Sequence, residues 1–143
     1  MENSNHFNVI VIGAGISGIG AGYYLKKNCP NKSFCIIEGR ENIGGTWDLF
    51  KYPGIRSDSD MFTLGYAFKP WKEQKTIANG PSILSYLEET VEENNLREKI
   101  KFSHKVLSAN WNSAERNWEV RAAHNGQEIL LTANFLFMGT GYY

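Results

Sequence analysis

Apolar residues run along this chain in short blocks whose period changes twice. Val9, Ile10, Val11 and Ile12 form a continuous β-branched run, the pattern of a parallel strand covered on both faces. A helix is predicted from near Ile16, with Ile16, Ile19, Tyr23 and Leu25 on its buried side. Lys26 and Lys27 suit its C-terminus, and Pro30 stops it. Ser33 to Glu38 is a second apolar strand. After Glu38 the period is lost for about forty residues, broken by Gly44-Gly45 and Pro53-Gly54, and a loop of that length inside a domain is usually functional. Gly80-Pro81 opens a second helix, with Ile83, Leu84, Leu87 and Val91 on one face and Glu88, Glu89, Glu92 and Glu93 on a solvated one. Lys99 to Ser103 reads as a third, short parallel strand. The period then changes to that of three antiparallel strands: Val106 to Trp111, Trp118 to Ala123 and Gln127 to Thr132. Asn125-Gly126 supplies a type I′ turn between the last two. Phe135 to Met138 is predicted as a further, separate buried strand ending at Gly139-Thr140-Gly141. The fold class is therefore α/β, a parallel sheet with an antiparallel β-meander.

The first strand runs directly into a glycine-rich turn and a helix, an order that makes a phosphate site. Gly13, Gly15 and Gly18 fit the G-x-G-x-x-G spacing, with Ser17 inside it: Gly13 for the tight turn, Gly15 for close approach of a pyrophosphate, Gly18 for close helix–strand packing. The helix aims its unpaired N–H groups and the positive end of its dipole at the anion. Glu38 closes the second strand twenty residues after Gly18, where a carboxylate meets ribose hydroxyls. A glutamate there repels a 2′-phosphate, so this first site is expected to take FAD or NAD rather than NADP. The whole reads as a Rossmann-like domain, and a meander of this kind accompanies FAD domains of the glutathione-reductase type.

Fifteen basic and fifteen acidic residues cancel, which removes any global field for nucleic acid or an anionic membrane. The opening MENSNHF has no basic leader, and five glycines within ten residues break the one long apolar stretch, so neither a signal peptide nor a membrane span is expected. Cys29 and Cys35 match neither a redox pair nor a metal site and are expected as buried or half-buried thiols in a reducing cytoplasm. No metal site is expected.

The segment IGGTWDLFKYPGIRSDSDMFTLGYAFKPW, Ile43 to Trp71, resembles the Baeyer–Villiger branch of the flavin-containing monooxygenases, in particular the bacterial subgroup that includes the thioamide-prodrug-activating enzyme. The closing FLFMGTGYY resembles that family's second glycine motif, with Gly139-Thr140-Gly141 in place of its more usual Ala-Thr-Gly or Cys-Ser-Gly. The resemblance implies FAD as cofactor and NADPH as reductant, with oxygen transferred through a peroxyflavin to a ketone, sulfide or amine.

Gly45 would let backbone approach the cofactor a second time, and Thr46, Trp47 and Asp48 would offer donors, an aromatic plane and a carboxylate. Trp47 and Phe50 serve equally well as loop anchors in the core. The family implies that Arg56, Ser57 and Asp58 sit where flavin meets nicotinamide, with Asp58 the catalytic candidate; a loop salt bridge between Arg56 and Asp58 is the plainer alternative. Val106 matches a position whose backbone meets adenine, and Gly139 and Gly141 belong to the second glycine motif.

The whole chain, 1–143, is expected to be the incomplete N-terminal FAD-binding domain of such an enzyme, because a second dinucleotide fingerprint, the family's monooxygenase fingerprint and a substrate pocket are not in the sequence. It is expected to be inactive alone, poorly soluble, with weak or no FAD retention, and to expose an apolar sheet edge. Another flavin oxidoreductase class and a non-catalytic nucleotide-binding module remain as alternatives.

Overall fold

A six-stranded sheet in the order β3-β2-β1-β6-β5-β4 organises the computed structural model, which describes residues 5–143. The first four residues of the opening, on which the reading of a missing leader partly rests, lie outside the described residues. In chain order the elements are β1 (His6–Ile12), α1 (Ile16–Asn28), β2 (Phe34–Ile37), α2 (Thr46–Leu49), α3 (Met61–Leu64), α4 (Gly80–Glu93), β3 (Ile100–Lys101), β4 (Lys105–Asn112), β5 (Asn117–His124) and β6 (Gln127–Met138). A turn of 3₁₀-helix, Arg97–Lys99, leads into β3.

β1 pairs in parallel with β2 and with the end of β6, and β2 pairs in parallel with β3, so β1 lies between two parallel neighbours. That placement explains its unbroken β-branched run. Val9 and Val11 pack into the core beneath the helices with Ile36, Ile83, Leu87 and Val91, whereas Ile10 and Ile12 pack with Val120, Leu131 and Ala133 of the meander.

The buried stripe of α1 differs from the expected one. Ile19 is fully buried as predicted, but the other buried positions are Gly18, Gly20 and Gly22, while Ile16, Tyr23 and Leu25 are only half-buried. The cause is close approach: a Cβ on Gly18 would lie 1.8 Å from the Gly13 carbonyl oxygen, and one on Gly22 would lie 2.8 Å from Ile36 Cδ1. Lys26 does cap a helix end, but that of α4: its Nζ donates to the Asn94 and Asn95 carbonyls at 2.9 and 3.1 Å. α4 begins where predicted, with the Asn79 side chain accepting from Ser82 N at 2.8 Å and Pro81 in its first turn.

Two boundaries are corrected. Gln127 to Thr132 and Phe135 to Met138 are one strand, not two. β6 runs antiparallel to β5 up to Ala133 and parallel to β1 from Thr132 onward, pairing on both sides at Thr132 and Ala133. No glycine or proline interrupts it, so nothing forces the chain to turn. The third parallel strand is also shorter than expected, two residues instead of five. The hairpin at Asn125-Gly126 is as predicted: both residues have positive φ, at 50° and 74°, as a type I′ turn requires.

Residues 39–79 are less irregular than their sequence suggests. They hold two one-turn helices, and Asp60 caps the second by accepting from Thr63 N at 2.9 Å. Tyr86 of α4 pins the segment, its hydroxyl donating to the Lys69 carbonyl at 2.6 Å and accepting from Tyr66 N at 2.7 Å. Beyond Ala133 β6 pairs with β1 alone, so the run expected to be buried is largely exposed at this edge: Phe135 by 70%, Phe137 by 42% and Met138 by 61%.

Candidate dinucleotide site

Three adjacent parallel strands, β2, β1 and β6, end at one level, and a cavity of about 510 Å³ opens at their carboxyl ends. This is the position at which ligands bind in open α/β sheets, and the volume is in the range of small-molecule sites. The strand ends are locked together by backbone: Gly13 N donates to the Ile37 carbonyl and Gly139 N to the Ile12 carbonyl, each at 2.8 Å.

Glycines make the walls. Gly13 has φ near +100°, and a Cβ there would lie 2.3 Å from the Gly139 carbonyl oxygen, so the first and second glycine motifs touch. Gly15 starts α1 without any side-chain cap, leaving first-turn N–H groups available to an anion. Gly45, with φ near +54°, packs against it backbone to backbone: a Cβ on Gly45 would lie 3.1 Å from Gly15 Cα. Two bare backbone turns therefore oppose one another, a cradle that side chains would fill.

Glu38 lies on the cavity wall and is only 7% exposed. Its two oxygens accept from Ala14 N and Arg40 N, both at 2.9 Å. An ionised carboxylate has about four lone-pair sites, so capacity for ribose hydroxyls remains.

Of the residues singled out from sequence, Gly13, Gly15, Ser17, Glu38, Gly45, Thr46, Trp47, Val106, Gly139 and Gly141 all line this one cavity. Trp47 also packs on the core beneath the helices, so cavity wall and anchor are one role. Gly18 lies just behind the lining, under the turn. Asp48 is buried beside the cavity rather than in its lining, with Oδ2 accepting from Arg40 Nη1 at 3.0 Å.

Arg56, Ser57 and Asp58 are not among the lining residues, but Asp58 is near one: the phenol of Tyr143, which lines the cavity, is pushed up first by the neighbouring Tyr142 hydroxyl and also by the Asp58 charge. Ser57 is buried, its N–H donating to the Ala78 carbonyl at 2.9 Å and its hydroxyl accepting from Ala78 N at 3.2 Å, while Arg56 and Asp58 are exposed. No ion pair joins Arg56 to Asp58 among the described residues, so the salt-bridge alternative is not what holds this loop. A short antiparallel bridge between Arg56 and Asn79 does.

Arg40, His104 and Lys105 line the cavity beside Glu38 and were missed by sequence reasoning. Arg40 stands two residues past Glu38, and no motif in the sequence marks it. His104 stacks on His124 with ring centroids 3.9 Å apart, a pairing that depends on the meander and has no sequence signature. Among the described residues no cluster suited to a metal ion occurs, and no helix is long and apolar enough to cross a membrane. Cys29 and Cys35 are both free, half-buried and buried respectively; burial pushes the Cys35 thiol up to about 12, against the pull of nearby Lys101.

Fold and cavity together define a nucleotide-binding domain of the Rossmann type, and residues 11–73 match the model of the NAD(P)-binding Rossmann-like domain. Over nearly its full length the chain is a homologue of the FAD-containing monooxygenases. It is 53% identical over 140 residues to the FAD-containing monooxygenase EthA of Mycolicibacterium smegmatis, covering 98% of this chain and 28% of that protein. Against the FAD-containing monooxygenase EthA of Mycobacterium tuberculosis it is 49% identical over 140 residues, covering 98% of this chain and 29% of the relative. An oxidised steroid monooxygenase bound to NADP superposes with a TM-score of 0.85 at 30% identity, over 95% of this chain and 26% of that one. The chain thus spans less than a third of the length of the relatives it matches.

Proposed function

We propose that the cavity binds the adenosine diphosphate half of FAD and that the chain is the FAD-binding part of an NADPH-dependent flavin monooxygenase. The observation that carries this reading is the opposed pair of bare backbone turns, Gly13 to Gly18 and Gly45, with the Glu38 carboxylate at the adjoining strand end. The α1 N-terminus and Gly45 would hold the diphosphate, Glu38 the ribose, and Val106 the adenine side. Thr46, Trp47, Gly139 and Gly141 would shape the path toward the flavin. When bound, FAD supplies the redox chemistry: it accepts a hydride from NADPH and activates oxygen for transfer to a ketone, sulfide or amine.

In this reading Arg56, Ser57 and Asp58 act at the far end of the cofactor, where nicotinamide meets flavin, and the NADPH and substrate sites are formed by other parts of the enzyme. Asp48 acts through Arg40. A cytoplasmic location accords with two free thiols.

The test is a titration of the purified chain with FAD and with NADPH, followed by flavin fluorescence and calorimetry. FAD is expected to bind more tightly than NADPH, because Glu38 repels a 2′-phosphate. Glu38→Ala should weaken FAD by about 1.5–3 kcal/mol, roughly tenfold or more. Preferential NADPH binding, or FAD affinity indifferent to Glu38→Ala, would overturn the assignment.

A further inference from the structure

One residue ties the turn at Gly45 to the end of β2, through its side chain on one side and its main chain on the other. Arg40 Nη2 donates to the Gly45 carbonyl at 2.8 Å and Nη1 to Asp48 Oδ2 at 3.0 Å, while its own N–H donates to Glu38 Oε1 at 2.9 Å and its carbonyl accepts from Ser103 N at 3.0 Å. Asp48 is only 8% exposed, so the guanidinium is the principal counter-charge to a buried carboxylate, with Lys51 Nζ farther off at 3.8 Å. The planar fork reaches a carboxylate and a carbonyl at once, which a lysine ammonium on its flexible stem does not reproduce.

The turn it holds is the one that faces the glycine fingerprint. Gly44 N donates to the Ala14 carbonyl at 2.9 Å, and Leu49 N closes α2 onto the Gly45 carbonyl at 2.9 Å, the same oxygen that takes Arg40 Nη2. α2 is a single turn of four residues and too short to be stable by itself. Its position, and with it the packing of Gly45 on Gly15, depends on external ties.

We infer that Arg40 is a positioning residue: by tying Gly45 and Asp48 to the end of β2, it holds the two glycine turns in contact and in register along the cavity wall, and so sets the affinity for the cofactor. The inference rests on the reading of the cavity as an FAD site. It adds a residue that neither the glycine fingerprint nor the ribose acid contains.

Two measurements on the purified chain test it, one without ligand. In the unliganded protein, amide hydrogen exchange at Gly44 and Leu49 in Arg40→Met is expected to be about tenfold faster than in wild type, with Ile10 and Val11 in β1 unchanged. In FAD titrations Arg40→Met should weaken binding about tenfold, Arg40→Lys should recover little of it, and Asp48→Asn should lose less when Arg40 is already replaced. Unchanged exchange at Gly44 and Leu49 would overturn the inference, as would full recovery by Arg40→Lys. If Glu38→Ala weakens FAD and the Arg40 variants do not, the FAD site stands and the positioning role falls. If the wild-type chain takes no FAD at all, the FAD reading falls, and the exchange rates still decide whether Arg40 holds the turn.

Discussion

The glycine cradle and the Tyr52–Asp58 loop were marked by sequence with similar force, and the structure treats them differently. In the cradle, motif and geometry are the same fact. At Gly13, Gly18, Gly45 and Gly139 backbone passes closer than a Cβ would comfortably allow. In the loop, the residues that carried the resemblance make few contacts of their own: Tyr52 is 60% exposed, and a Cβ on Gly54 would meet nothing within 4 Å. Its anchored part is Ile55 to Ser57: Ile55 is buried with its carbonyl accepting from Gly80 N, Arg56 bridges to Asn79, and Ser57 is buried and bonded to Ala78. A motif whose partners lie within the described residues can be checked by packing, whereas one whose partners are a ligand or another segment cannot.

The largest effect expected from that contrast is at Gly18. An alanine there places its Cβ 1.8 Å from the Gly13 carbonyl oxygen, a backbone atom with no freedom to yield. Gly18→Ala should destabilise the chain by about 3 kcal/mol or more in urea unfolding, or abolish folding. A stability equal to wild type would show that the helix stands farther from the strand than described.

A smaller effect is expected at Asp60, the cap of α3 within the long loop segment. Hydrogen bonds from the Thr63 backbone and side chain hold its carboxyl below the usual aspartate range. A lowered folded value means stability present above the unfolded pKa and lost as pH falls through the folded one. The thermal midpoint of Asp60→Ala should therefore lie slightly below that of wild type at pH 7, and the gap should narrow as pH falls from 5 to 3. A gap constant with pH would mean that the carboxylate does not cap the helix.

The smallest effect is expected at Asp58. It is exposed and not itself among the lining residues, so Asp58→Ala should leave stability within about 0.5 kcal/mol and FAD affinity within about twofold. A loss of FAD binding comparable to that of Glu38→Ala would bring this loop into the cofactor site and erase the contrast.

The same distinction explains what could be read from sequence. β1, α1, β2, α4 and the Asn125-Gly126 hairpin were legible because their signals are local: β-branched runs, a helical period, a proline in the first turn, two residues at positive φ. The continuity of β6 was not, because a strand that changes partners midway shows two different patterns on either side of Thr132–Ala133. The order inside residues 39–79 was hidden because Tyr66 and Tyr86 supply it across twenty residues. Most of the cavity lining was legible through glycine spacing and one acid. Arg40 was not, since its partners Asp48 and Gly45 meet it only after the chain has folded back over β2.

The central claim, that the opposed glycine turns form a cofactor cradle, is tested most directly by mapping FAD onto the backbone amides of the ¹⁵N-labelled chain, which registers weak binding as well as tight. The account predicts that the largest shifts fall on Gly13, Gly15, Ser17, Glu38, Gly45 and Gly139, with Arg56 and Asp58 little affected. Shifts centred instead on a separate surface cleft lined by Tyr23, Trp71 and Tyr86, or no shifts at saturating FAD, would contradict it.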